Sequence, residues 1–321
     1  MVFAMHSQAF ADNSRLSMVW ELMSRWAVPF MFITSAYFLF RKFPEHNARL
    51  PKEALGKYVS RIGLLYIGWF MINIPNIYVS RLACRNLLDL DTWAVFLKDS
   101  VLSSTFTGSW YLLSSIFSAV AVFLLSKRLS TAQILVIGIL TEAVCVLSSA
   151  YLWLMPEPAR EMLQFLDFPL NIFGGFFYFA LGKHFAENRN QFKATGTLPN
   201  IFLTVVFYCL YILEIWLTKR YGFYSTSDQA IFLVPASTFL FLLSQNTSVR
   251  IPRAKIMRKA STIIFCAQGN MLLAEAAFRK FSGSDSMLLS FGVGTILTGI
   301  VVATILVLQE KESFGWLKHL S

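Results

Sequence analysis

Carboxyl and amide side chains inside apolar runs are the first residues of this chain that could do chemistry. Glu142, Glu214 and Glu275 each lie in a long uncharged run, and the last run also holds Gln268 and Asn270. An ionisable side chain inside a membrane is energetically expensive, which makes it informative. It marks either a functional site or a carboxyl group bonded to a neighbouring helix, and both interpretations stay open for each glutamate.

Of the four histidines, only one follows an apolar run at the start of the chain. His6 therefore differs from His46, His184 and His319, which lie in basic segments typical of a solvated surface. An imidazole can take a proton from a hydroxyl group near neutral pH, so His6 is a candidate general base. No catalytic-triad order, phosphate-binding loop, GxSxG or HExxH motif accompanies it. These residues alone leave a transporter and an integral membrane enzyme open.

The cysteines indicate neither a metal site nor a disulfide framework. They share no CxxC or other ligand spacing, and three of the four lie inside apolar runs, where a small buried side chain is the usual role: Cys84, Cys145, Cys209 and Cys266. We therefore expect no metal cofactor.

The elements that must position these residues are membrane helices. The chain has 321 residues, of which 56% are hydrophobic and 14% charged, with a mean hydropathy of +0.56. Ordinary soluble domains carry about 25% charged residues. The composition predicts an all-α, polytopic transmembrane helix bundle with about nine to ten spans, organised as a single domain over residues 1–321.

Nine apolar segments are predicted to span the membrane. They are 26–40, 58–79, 108–126, 131–155, 168–183, 199–217, 230–243, 260–278 and 287–308. Residues 1–10 resemble the back half of a further span, so we expect the given start to lie late or the first span to be incomplete. Small residues in the last segment, among them Gly292, Gly294 and Gly299, predict close helix packing.

The loops between these segments carry a clear charge asymmetry. The larger share of the 28 lysines and arginines falls on alternate loops, on one side of the predicted membrane. By the positive-inside rule this side is cytoplasmic, which predicts a cytoplasmic C-terminus and a multi-pass protein of the cell inner (plasma) membrane. Orientation accounts for most of the net charge of +10, so no nucleic-acid partner is expected. A shared basic face that binds an anion or phosphate is the alternative.

The longest outer loop, residues 82–107, contains an apolar repeat at helical spacing. Trp93, Phe96, Leu97 and Val101 predict a helix at the outer interface, which either roofs a cavity or simply packs.

The segment 26–40 is unusual because it is short and polar for a membrane anchor. Its 15 uncharged residues would form a helix of about 22 Å, shorter than the roughly 30 Å hydrocarbon core. Thr34, Ser35 and Tyr37 place hydroxyl groups among its aromatic residues. We predict that one face of this helix forms part of a site.

Several motifs, in this order along the chain, resemble those of the acyltransferase 3 family of bacterial membrane acyltransferases. His6 resembles the family's early membrane histidine, and VPFMFITSAYFL at 28–39 resembles its VPxFFxxSGYxL helix. The later matches are KYVSRIGLLYIGW at 57–69, GSWYL at 108–112, FGGFFYFALGK at 173–183 and STIIFCAQ at 261–268. Ala36 and Gln268 stand where the family usually has glycine and histidine.

The resemblance implies an O-acetyltransferase-like enzyme that modifies polysaccharide in the cell envelope. It would move an acetyl or other short acyl group from cytoplasmic acyl-CoA to a hydroxyl of a cell-surface or lipid-linked glycan. The partners implied are therefore acyl-CoA, a glycan acceptor and membrane lipid. A non-catalytic glycan exporter or flippase is the alternative, and a family member that has lost its activity is a third.

The resemblance also implies roles for individual residues. His6 would deprotonate the acceptor hydroxyl, and Glu275 could orient or charge-balance its imidazole. Arg61 with Lys57 would hold the phosphates of the donor. The cavity wall would be lined by Ser35, Tyr37 and Trp110.

Overall fold

The computed structural model describes residues 6, 9–10, 13–43, 51–83, 85–193, 195–223, 226–247, 252–283 and 286–321. His46 and Cys84, and most of the stretch 1–10, lie outside the described residues. Within these ranges the structure is helical, with no strand.

Fourteen α-helices follow one another along the described chain. They are α1 (Ser14–Arg25), α2 (Ala27–Phe40), α3 (Lys52–Ile72), α4 (Ile74–Ile77), α5 (Leu90–Leu102), α6 (Ser109–Leu125), α7 (Thr131–Ser148), α8 (Glu157–Phe165), α9 (Phe176–Glu187), α10 (Arg189–Lys193), α11 (Thr197–Arg220), α12 (Leu233–Asn246), α13 (Ala254–Ser282) and α14 (Met287–Leu308). A π-helical turn, Tyr78–Leu82, continues α4, and 3₁₀ segments lie at Leu152–Leu154 and Glu312–Leu320.

The helices form a bundle with membrane-spanning members. Three of them, α7, α11 and α14, are long and apolar enough to cross a membrane, and α3 with its bent continuation makes a fourth. The prediction of an all-helical, multi-span membrane protein is therefore confirmed. Each of the nine predicted segments contains an observed helix, although the number of spans stays a prediction.

Two predicted segments extend seven or eight residues beyond the observed α-helix. The segment 168–183 becomes helical only at Phe176, because residues before Gly175 form turns. A Cβ atom at Gly174 would lie 2.1 Å from the carbonyl oxygen of Pro169, so this turn requires glycine. The segment 131–155 leaves the α-helix at Ser148.

The chain divides into two compact units. We call Arg25–Ser60 with Trp110–Val249 the central unit, and Met1–Ser24, Arg61–Ser109 and Arg250–Ser321 the flanking unit. The prediction of a single domain over residues 1–321 stays a prediction.

The central unit is built around α2. This helix is apolar on all sides, which is typical of a buried helix. Phe32, Ile33 and Ala36 are fully buried, and α2 packs against α9 and α12. In turn α9 packs on α7, and α11 pairs with α12.

The flanking unit pairs α13 with α14 and contains a sharp bend after α3. The chain direction changes by 66° between α3 and the segment Ile74–Leu82, with Asn73 at the break. The segment Glu312–Leu320 closes this unit. The Trp69 indole donates a hydrogen bond to the carbonyl oxygen of Leu320 at 3.1 Å, and the Leu320 side chain fills the space left by Gly68.

Candidate functional site

In the central unit, α2 and the start of α6 meet through aromatic rings and hydroxyl groups. The Ser35 and Tyr111 hydroxyls lie 3.1 Å apart, and the Phe32 ring contacts the rings of Tyr111 and Trp110 at centroid distances of 4.6 and 5.9 Å. The structure thus brings the predicted residues Ser35 and Trp110 to the same contact between α2 and α6. Phe32 and Tyr111 also belong to it, and the sequence did not single them out.

Tyr37 lies elsewhere on α2. Its side chain is only 3% exposed, and its ring packs against Phe241 of α12 at a centroid distance of 5.3 Å. The contact forms because Tyr37 lies on the part of α2 that faces α12. Its predicted place in a cavity wall stays a prediction.

Small residues allow α2 and α9 to approach closely. A Cβ atom at Gly182 would lie 2.3 Å from the Ile33 carbonyl oxygen and 2.7 Å from the Ala36 Cβ. A Cβ atom at Gly175 would overlap the Phe32 ring. Because these residues are small, the backbones meet and the α2 side chains are held in place.

The two predicted phosphate-binding residues lie one helical turn apart on α3. Lys57 and Arg61 are both exposed to solvent, so each can reach a ligand in solution. Next to Lys57, the Tyr58 ring contacts Phe179 edge-on, which anchors the start of α3 within the central unit.

His6 and Glu275 lie in the flanking unit. His6 is helical and exposed, and its immediate neighbours in the chain lie outside the described residues. Glu275 is 3% exposed, and its Oε1 atom has no hydrogen-bond partner among the described residues. A Cβ atom at Gly294 would lie 2.2 Å from that oxygen, so Gly294 provides the space that the carboxylate fills. At Gly292 and Gly299 an added Cβ atom would meet no other atom within 4 Å, so these two glycines make no close helix contact among the described residues.

The other two membrane glutamates have structural partners. Glu214 accepts hydrogen bonds from the Tyr151 hydroxyl at 2.6 Å and from the backbone N–H groups of Ile231 and Phe232 at 2.9 and 3.0 Å. Those N–H groups precede α12, where a helix favours negative charge. For Glu214, the bonded carboxyl is thus the interpretation that the structure supports.

Glu142 is held by a buried hydroxyl group. Tyr178 of α9 donates to its Oε1 atom at 2.8 Å and lies 3.0 Å from the amide oxygen of Gln229. Glu142 therefore joins α7 to α9, and this hydrogen bond was one of the two interpretations left open by the sequence.

A buried ion pair lies within α9, and its lysine also bonds to the first residue of α7. The sequence did not predict this burial. Lys183 donates to Glu187 at 2.6 Å and also to the Thr131 hydroxyl, and both charged side chains are only 1% exposed. The i,i+4 spacing of Lys183 and Glu187 was a signal for pairing, although not for burial.

Helix α5 is observed where the apolar repeat predicts a helix. Trp93, Leu97 and Val101 are exposed along one side. On the other side, Asp99 pairs with Arg81 at 3.3 Å, and the Tyr66 hydroxyl donates to the carbonyl oxygen of Ser100 at 3.1 Å. The helix is thus fastened within the flanking unit by polar contacts and leaves an apolar row uncovered.

Comparison with known proteins identifies the family. The model of the acyltransferase 3 family, described as an acyltransferase domain, matches residues 1–308. The chain belongs to the acyltransferase 3 family. The match ends with α14, so it covers every α-helix of the described chain. The acyltransferase class predicted from the motifs is thereby confirmed.

A curated relative, described as an amino-acid racemase of Enterococcus faecalis, is 24% identical over 225 residues. These residues make up 68% of this chain and 30% of that protein, so the chain spans less than a third of the relative's length. The racemase description applies to that protein. No solved structure matches the chain.

Proposed function

We propose that this acyltransferase O-acylates a glycan of the cell envelope at the inner (plasma) membrane, with its C-terminus in the cytoplasm. It takes an acetyl or other short acyl group from cytoplasmic acyl-CoA and delivers it to a hydroxyl of a cell-surface or lipid-linked glycan. The observation that carries the proposal is the family match over residues 1–308, which includes every residue proposed for the site. The basic loop asymmetry supports a donor on the cytoplasmic side.

In the reaction, the acceptor hydroxyl oxygen attacks the thioester carbonyl carbon. An oxygen–carbon bond forms, the carbon–sulfur bond breaks, and the hydroxyl proton ends on the thiol of free coenzyme A. His6 accepts the proton from the hydroxyl and returns it to the departing sulfur, while Glu275 orients its imidazole.

The donor is held through its phosphates. Arg61 and Lys57 are exposed cations on the same helix, and a guanidinium group pairs well with phosphate oxygens. Ser35, Tyr37 and Trp110 form the cavity wall beside the acyl group. The aromatic contacts around Phe32 support this wall because they hold Trp110 in place.

The direct test uses membrane vesicles that contain the protein, its endogenous glycan and acetyl-CoA labelled in the acetyl group. We expect label in the glycan with the wild-type protein and a loss of at least 100-fold in the His6→Ala variant, the contribution of a general base. His319→Ala is the matched control, because His319 is an exposed histidine outside the proposed site. If His6→Ala keeps its activity, the base is another group.

A second comparison tests the donor site. Arg61→Ala should raise the KM for acetyl-CoA about tenfold, whereas Arg258→Ala, also an exposed arginine, should leave it unchanged. An exporter or flippase would move glycan without transferring label, so a complete absence of labelled glycan would favour that alternative.

A further inference from the structure

An apolar groove runs along the second half of α11 in the central unit, with a volume of about 280 Å³. Three leucines at helical spacing on α11 form much of its base, and aromatic side chains from the ends of neighbouring elements complete its wall. The leucines are Leu210, Leu213 and Leu217, and the aromatic residues are Tyr151, Phe223 and Phe232. We call this space the α11 groove.

The α11 groove opens toward the membrane. Helix α11 is long and apolar enough to span a bilayer, and few of its side chains are buried. Within the described part of the chain, Leu213, Leu217 and Phe223 are 47%, 38% and 43% exposed. Side chains of a membrane-spanning helix that no protein covers face the hydrocarbon of the lipid. Acyl chains therefore lie at the opening of the groove.

The polar side chains at the base of the groove already have partners within the protein. Glu214 accepts hydrogen bonds from the Tyr151 hydroxyl and from two backbone N–H groups before α12. The Thr218 hydroxyl donates to the carbonyl oxygen of Ile215 at 3.0 Å. Because these groups are satisfied, an apolar chain can cover them without leaving a buried polar atom bare. The base of the groove thus suits hydrocarbon.

One end of the groove has the residues of a membrane–water interface. Arg220, the last residue of α11, is exposed, and Tyr221, which lines the groove, is 67% exposed. The exposed rings of Trp153 and Phe223 stack at a centroid distance of 4.2 Å. Aromatic and basic side chains concentrate at the level of lipid headgroups, and a guanidinium group pairs well with phosphate oxygens. This end of the groove therefore complements a lipid phosphate.

We propose that the α11 groove binds one acyl chain of a phospholipid, whose phosphate pairs with Arg220. A phospholipid combines the two required features, hydrocarbon along the base and negative charge at the end. Two turns of a helix about 10 Å across would fill roughly 800 Å³, so the groove cannot enclose a partner helix. None of the residues proposed for acyl transfer lines the groove, so it is a site apart from that reaction.

The test is native mass spectrometry of the delipidated protein in detergent, which counts the lipids that remain bound. The probe is dioleoylphosphatidylglycerol, and dioleoylglycerol has the same chains without the phosphate. We expect the first dioleoylphosphatidylglycerol to bind about tenfold more tightly than dioleoylglycerol, because the phosphate gains a charge-assisted hydrogen bond.

Two variants address the two parts of the lipid. Leu213→Trp places an indole in the groove and should weaken binding of both lipids about tenfold. Arg220→Gln removes the charge and should abolish the preference for dioleoylphosphatidylglycerol. The matched controls are Val205→Trp, an exposed position on α11 outside the groove, and Arg128→Gln, an exposed arginine after α6. Both should behave as the wild-type protein does. If Leu213→Trp does not accumulate, Leu217→Trp takes its place.

Several results would overturn the proposal. One is a wild-type protein that binds no phospholipid, and another is unchanged binding in Leu213→Trp. Equal wild-type affinities for the two lipids would show that the phosphate is not recognised. A wild-type dimer without bound lipid, lost in Leu213→Trp, would assign the groove to a second copy of the chain instead.

Discussion

The three glutamates that the sequence places inside apolar runs have different surroundings in the two units. In the central unit Glu214 accepts three hydrogen bonds and Glu142 accepts one from Tyr178. In the flanking unit the buried Oε1 atom of Glu275 has no hydrogen-bond partner among the described residues. Satisfied polar groups join helices firmly, whereas bare ones favour rearrangement. Glu214 and Glu142 thus have structural roles, whereas the carboxyl group of Glu275 is free to take another partner at its Oε1 atom.

Breaking the buried ion pair of the central unit should cause the largest loss of stability. Lys183→Met leaves Glu187 charged, buried and unpaired, which should reduce the free energy of unfolding by about 3–5 kcal/mol. Thermal unfolding in detergent measures it. The double variant Lys183→Met/Glu187→Met should recover most of the loss, and Lys255→Met, an exposed lysine, should change nothing. An unchanged unfolding temperature of Lys183→Met would contradict a stabilising role of the pair.

Disturbing the contact between α2 and α9 should cause the next largest loss of stability. Gly182→Ala pushes a methyl group against the Ile33 carbonyl oxygen and should destabilise the protein by about 2–3 kcal/mol. Gly299→Ala has free space and should be neutral or slightly stabilising, because alanine favours a helix. The difference between their unfolding midpoints is the measurement, and equal midpoints would contradict the close packing.

The smallest changes in stability are expected when Glu214 and Glu275 are each replaced by glutamine. Glu214→Gln replaces an accepting oxygen with an NH₂ group that faces other donors. It should therefore lower the free energy of unfolding by about 1–2 kcal/mol. Glu275→Gln should change stability by less than about 0.5 kcal/mol because its Oε1 has no partner to lose. Glycan labelling should show the reverse, with the larger loss in Glu275→Gln. A strong destabilisation by Glu275→Gln would remove the contrast between the units.

Local patterns in the sequence predicted most of the helices. The predicted segment 26–40 differs by one residue from Ala27–Phe40. Apolar runs reveal such helices because the membrane selects uniform hydrophobicity. The helix predicted over 168–183 was wrong before Phe176, because the turn that precedes it is as apolar as a helix.

The site was less accessible to sequence reasoning. Motif order identified the family and its candidate residues, but the partners that distinguish a bonded glutamate from a bare one come from distant positions. Glu142 meets Tyr178 from 36 residues away, and Gln268 meets Thr107 from 161 residues away. Periodicity shows which face of a helix is apolar and cannot show which helix it will face.

The bond between Trp69 and Leu320 joins residues 251 positions apart, and the one between Asn76 and Gly269 joins residues 193 apart. A ribosome adds roughly 5–20 residues per second, so the amide groups at the bend of α3 wait about 10–40 s before their α13 partners are synthesised. The flanking unit is therefore completed after the central unit, whose residues end at Val249. During that interval its polar groups are available to insertion factors and to the proteases that remove unfinished membrane proteins.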